Sequence, residues 1–179
     1  DIAIPTLKQL SLNQYSLFKE NLIALIEMDN KVDLMEWCLQ KIIFNHLDGH
    51  FFKFTQTRAR YAHLNQLKKE VSVILSILAY TSQDDQSIVK QSFSAAANTL
   101  KFDGLQLVNK KDIGLADLNQ SLKKLAQLKP LVKPKLLKAC VIGITHDQII
   151  SPVEIELLRA FSDVIDCPLP PINSSSDTN

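Results

Sequence analysis

Glycine is scarce in this sequence, with four residues in 179. Sheet proteins reverse the chain every few positions on glycine and other turn formers, so this scarcity argues against a hairpin-built fold. It also leaves no run that could wrap a phosphate as a glycine-rich loop. Cysteine is short as well: Cys38, Cys140 and Cys167 lie far apart, and three cannot all pair within one chain. That excludes a disulfide framework and a zinc cluster of short Cys spacing. Free thiols in a reducing compartment are expected, two of them serving as small core residues. An excess of one charge is also missing. Twenty basic against nineteen acidic residues leave a net charge of +1, which predicts no nucleic-acid partner and no attraction to an anionic membrane. Long apolar runs are absent too. The longest, Val71 to Tyr80, is interrupted by Ser72 and Ser76 and falls far short of the ~20 residues of a membrane span. No direct membrane insertion is expected, and a start at Asp1 without a signal-peptide pattern predicts an excised fragment.

What the sequence does contain is Leu, Ile, Lys and Gln, all good helix formers. A chain of this length can bury roughly 70% of its unfolded surface, enough for a core without staples. Ser11 and Gln14 form a capping box ahead of a stripe of Tyr15, Phe18, Leu22, Leu25 and Ile26. Asp33 and Glu36 open a second helix with Met35, Leu39, Ile42, Ile43 and Leu47 on its buried face. Asp48-Gly49 is expected to break it, leaving Phe51, Phe52 and Phe54 in a connection that runs to about Thr57. Leu64, Leu67, Val71, Ile74, Leu75 and Leu78 mark a long helix ending near Thr81, and Ile88, Phe93, Ala96 and Leu100 the next. After an irregular stretch from Lys101 to Gly114, a leucine seam runs from Leu115 through Leu128. Pro134 suits the first turn of a helix carrying Leu136, Leu137, Cys140, Val141 and Ile144. Ser151-Pro152-Val153-Glu154 starts the last helix, with Ile155, Leu158, Phe161 and Ile165 inward and Asp166-Cys167-Pro168 as its stop. The expected fold is all-α: a multi-helix bundle forming one domain over 1–172, followed by a Ser-rich disordered tail over 173–179.

No catalytic motif is present. There is no H-E-x-x-H, no G-x-S-x-G and no nucleophile beside a recognisable base, so no catalytic residue is assigned. His46 and His50 stand at helical metal-ligand spacing, yet Gly49 between them predicts a surface pair at a helix end. The lysines from Lys123 to Lys138 are expected to form a solvated helix face.

Two segments share one pattern: Asp29 to Glu36 and Asp147 to Glu154 both read Asp, two variable residues, a β-branched residue, a cap, two more residues and Glu. Each would be the loop of a helix-loop-helix unit, the cap starting the second helix. The alternative is a divalent-cation sensor in which Asp29, Asp33, Glu36, Asp147 and Glu154 supply ligands. The spacing misses the twelve-residue EF-hand loop, and capping already accounts for Asp33 and Glu36, so the structural reading is preferred. For protein contact the candidates are Phe51, Phe52 and Phe54, because phenylalanines in a loop must either find the core or await a partner.

Leu7 to Leu47 resembles the start of the C-terminal region of bacterial HtpX-like zinc metallopeptidases. Lys138 to Pro171 is similar to its end, including Glu156 to Ala160 and the close Asp166 to Pro171. The helix-loop-helix echo also looks like the TerB-like helical fold, whose loops usually carry Asp-Gly; here Asn30 and Gln148 stand at the Gly position. The resemblance implies a non-catalytic regulatory or protein-interaction domain of a membrane-anchored bacterial protease of the protein quality control class, on the cytoplasmic side. It implies as partners the peptidase domain of the same polypeptide, protein substrates or a second copy. Zinc is implied for that peptidase domain alone, and no cofactor is expected in this chain.

Overall fold

The computed structural model describes residues 3–27, 33–52, 58–82, 85–148 and 150–169. Eight α-helices run through them: α1 (Ala3–Leu7), α2 (Leu12–Glu27), α3 (Leu34–Phe51), α4 (Lys68–Ser82), α5 (Gln86–Thr99), α6 (Leu115–Leu125), α7 (Lys133–Ile144) and α8 (Pro152–Ile165). Short 3-10 turns at Leu64–Leu67 and Lys110–Asp112 precede α4 and α6. Among the described residues the one β-type contact is an isolated bridge between Tyr61 and Leu128, so the all-α expectation holds. The tail beyond Leu169 lies outside the described residues.

The core is built around α4. Val71, Val73, Ile74, Leu75, Leu78 and Ala79 are buried together with Glu70, Ser72 and Ser76, so apolar surface points in nearly every direction. A helix of that kind must be wrapped. Helices α5, α6, α7 and α8 all pack on it. The two serines that interrupt the apolar run have a structural use. Ser76 Oγ accepts the Val108 N–H at 2.9 Å, Ser72 Oγ accepts the Gln106 N–H at 3.1 Å, and the Tyr80 hydroxyl donates to the Val108 carbonyl at 3.0 Å. Backbone donors of an otherwise irregular stretch thereby find partners against a buried helix. On the opposite flank α5 crosses α7 closely: a Cβ at Gly143 would stand 3.3 Å from the Ala96 Cβ, and Ser92 Oγ donates to the Gly143 carbonyl at 2.8 Å.

The outer pair, α3 and α8, packs side by side, with Trp37 meeting Phe161 edge-on at 6.4 Å and Trp37 Nε1 donating to Asn119 Oδ1 of α6 at 3.1 Å. Helix α2 lies on the outside of α3.

Four expectations need correction. The stretch Ile4 to Leu10, which reads in the sequence as a short lead-in containing Pro5, begins in a helix, with Pro5 in the first turn of α1, where its missing N–H costs nothing. Helix α3 does not break at Asp48-Gly49 but runs to Phe51, capped by Phe52 N–H to Asp48 O at 2.9 Å. Buried Leu47 and the bonded Asp48 side chain outweigh the ~1 kcal/mol helix penalty of Gly49. On α8 the buried positions are Leu157, Leu158, Ala160, Phe161 and Ile165, with Ile155 only half-buried, because the helix is turned toward both α3 and α7. The stripe of α2 is not a core stripe: Tyr15 is buried, whereas Leu25 is 65% exposed, as are Leu17 at 59% and Leu39 of α3 at 49%.

Leu78→Ala should therefore cost about 2–5 kcal/mol in urea melts, whereas Leu17→Ala should stay within about 0.5 kcal/mol of the parent. Equal losses at the two positions would contradict the placement of α4 inside and α2 outside.

Candidate functional site

The two echo loops use their acids as helix caps. Asp33 Oδ1 accepts the Met35 N–H at 2.9 Å, and Glu36 Oε2 accepts the Asp33 N–H at 3.1 Å. Ser151 Oγ accepts the Glu154 N–H at 3.2 Å, and Glu154 Oε2, in a buried side chain, accepts the Ser151 N–H at 2.7 Å. Glu36 and Glu154 each spend an oxygen on an otherwise orphaned backbone donor, the capping-box arrangement expected from the spacing. Asp29 lies outside the described residues. Asp147 is half-buried and engaged, and the residue after it, Gln148, has a φ of 62°, in the left-handed region. Among the described residues no three His, Cys, Asp or Glu side chains gather as a metal-ligand group.

Since α3 continues past Gly49, His46 and His50 do share one helix, but they face different partners. His46 Nε2 lies 3.4 Å from Asp163 Oδ2 on α8, and His50 Nε2 lies 3.0 Å from the Lys8 carbonyl after α1. Burial pushes the Asp163 carboxyl up, while the neighbouring His46 and Arg159 pull it back.

The predicted aromatic connection divides. Phe51 closes α3 and stacks on Tyr15, ring centres 4.4 Å apart; Phe52 is 45% exposed; Phe54 lies outside the described residues. Beside them sits a cluster that sequence reasoning missed. The buried Tyr15 hydroxyl donates to Asp48 Oδ1 at 2.6 Å, and the Lys19 ammonium holds both Asp48 oxygens at 2.7 Å while standing 4.8 Å from the centre of the Phe44 ring. Burial first, then the hydrogen bond and charge of Asp48, hold the Tyr15 phenol above its usual range. This cluster fastens α2 to α3 and leaves Leu12, Leu17 and Leu25 of α2 with Leu39 and Phe52 of α3 in solvent. Five of the six large apolar side chains most exposed among the described residues lie on α2, on α3 or at the C-cap of α3, the sixth being Leu131.

All three thiols are free and buried, Cys167 included. Burial pushes Cys38 and Cys140 up to about 12, helped at Cys38 by the charges of Glu156 and Asp33. Such thiols are poor nucleophiles.

The lysine row is less uniform than expected. Lys124 pairs with the buried Glu70 of α4, and Lys133 is itself buried at 7% exposure. Lys133 is the first residue of α7 and borders a 430 Å³ cavity shared with Arg58 and the C-terminal end of α8.

Comparison with family models, with proteins of described function and with solved structures gives no match.

Two outcomes follow from this geometry. Gln148→Gly should stabilise the protein by roughly 0.5 kcal/mol, since relief of 1–2 kcal/mol of left-handed strain exceeds the extra unfolded-state entropy of glycine. A loss in urea melts would mean that the Gln148 side chain contributes more than its backbone costs. For the thiols, native Cys38 and Cys140 stay protonated to about 12, whereas unfolded thiols ionise near ~8.5. Their contribution is therefore complete below pH ~8.5 and lost progressively as pH rises toward 12. Urea melts should show stability falling between pH 8 and pH 10, and a disulfide thiol reagent at pH 7 should label only the unfolded chain.

Proposed function

We propose that this chain is a non-catalytic helical regulatory or protein-interaction domain of a membrane-anchored, HtpX-like zinc metallopeptidase of the quality control class. In that reading the chain itself cleaves nothing, lies on the cytoplasmic side, and works by touching the peptidase domain of the same polypeptide. The observation that carries it is the exposure of Leu12, Leu17, Leu25, Leu39 and Phe52. Exposing such residues forfeits ~1.5–3 kcal/mol each relative to full burial, a cost that a contact surface recovers when covered. A further feature supports it. The left-handed backbone at Gln148 falls where the TerB-like loops resembled by this chain carry glycine.

The test is a titration of this chain against the peptidase domain of its parent polypeptide, followed by calorimetry. Changing Leu17, Leu25 and Phe52 to Ser should weaken binding at least roughly tenfold, the equivalent of ~1.4 kcal/mol, with the melting temperature nearly unchanged. Sedimentation of the chain alone across concentrations shows whether a second copy covers the same face. Unaltered binding by the folded triple variant, or no binding by the parent, would remove this reading.

A further inference from the structure

The cavity beside α7 plays no part in the surface just described, and its composition is unusual for a small helical bundle. It measures 430 Å³ and is walled by Arg58, Lys133, Asp163 and Asp166 together with apolar Leu128 and Pro130. Lys133 is 7% exposed, and lysine is almost never buried that deeply without a partner. Among the described residues no hydrogen bond or ion pair holds its ammonium, and none of their buried side-chain nitrogens is both sealed from solvent and unbonded. The ammonium therefore keeps some contact with solvent, and Lys133 is one of the residues that line the cavity. Lys133 also begins α7, whose N-cap residue Val132 provides no side-chain acceptor, so the positive end of a twelve-residue helix borders the same space.

Arg58 is brought to the rim by the neighbouring backbone. Arg60 N–H and Tyr61 N–H donate to Gln127 O at 2.8 and 3.2 Å, and Lys129 N–H donates to Tyr61 O at 2.9 Å, which ties this segment to the end of α6. On the acidic side, Asp163 is already committed to His46 at 3.4 Å, and Asn45 Nδ2 holds the Asp163 carbonyl at 2.9 Å. The lining thus carries two cations, Arg58 and Lys133, and two carboxylates, Asp163 and Asp166.

We propose that this cavity binds a small carboxylate, its charge against Lys133 and Arg58 and its apolar body along Leu128 and Pro130. Lys133, without a hydrogen-bond or ion-pair partner among the described residues, calls for an anion, and the two carboxylates of the same lining favour one of low charge. A phosphate dianion would face Asp163 and Asp166 on the same wall, whereas a carboxylate matches the planar fork of Arg58. A free acid and a peptide C-terminus both present this group.

The experiment uses the full chain and calorimetric titration with N-acetyl-leucine as the free acid, a blocked tripeptide ending in leucine as the chain end, the amide of each, and inorganic phosphate. Binding of either acid with at least roughly tenfold loss in its amide is expected, and which acid binds more tightly identifies the source. Arg58→Gln and Lys133→Gln should each weaken it at least tenfold, while Lys138→Gln, on the exposed side of α7, leaves it unchanged. Should Lys133→Gln fail to fold by circular dichroism, the exposed Arg58→Gln decides alone. Tighter binding of phosphate, equal binding of the amides, indifference to Arg58→Gln, or no heat with either acid at millimolar concentration would each overturn the proposal.

Discussion

Burying α4 on all sides is the constraint from which the rest of the architecture follows. A helix whose apolar positions face in nearly every direction cannot sit on a surface, so the chain places α5, α6, α7 and α8 around it. Wrapping has a polar consequence, since connecting segments are pressed against the same helix and their backbone groups lose water. Ser72 and Ser76 answer that need by accepting the N–H groups of Gln106 and Val108. The close crossing at Gly143 is a second consequence, because α5 and α7 must meet tightly to close the ring around α4.

Outside that ring the molecule has two faces with different chemistry. At the α2–α3 face apolar side chains stand in water, and polar groups, namely Tyr15, Lys19 and Asp48, do the fastening beneath them. At the junction of α6, α7 and α8 the order is reversed, with Lys133 drawn inward and Arg58, Asp163, Asp166 and apolar residues lining the cavity beside it. Exposed apolar side chains suit a protein partner, and a recess of limited volume with a buried cation suits a small anionic group.

Much of the fold was legible because its signals are local. Capping boxes at Ser11, Asp33 and Ser151 depend on residue types three positions apart, and all three form as the spacing requires. The left-handed stop at Asp166 and the irregular stretch after Lys101 are of the same kind. What escaped sequence reasoning was set by distant residues. Tyr15 and Asp48 are 33 positions apart, and no periodicity announces their bond. The helix survives Gly49 because of what packs on either side of it. Lys133 carries no mark that separates it from the solvated lysines around it, and only the turn of α7 against α8 buries it. Leu25 fits the helical stripe of α2 as well as any core leucine does, yet it is 65% exposed.

The fastening of α2 also bears on how the molecule opens. Its links to α3 gather at Tyr15, Lys19, Asp48 and the rings of Phe51 and Phe44, while none of its residues belongs to the cluster built around α4. Releasing α2 uncovers Tyr15 but leaves that cluster intact, so α2 is expected to open as its own cooperative unit, at a free energy below that of global unfolding. Amide protons of α2 consequently exchange with deuterium ahead of those of α4. A partner seated on the outer leucines would slow that exchange without altering the buried helices, converting α2 into a reporter of its own occupancy.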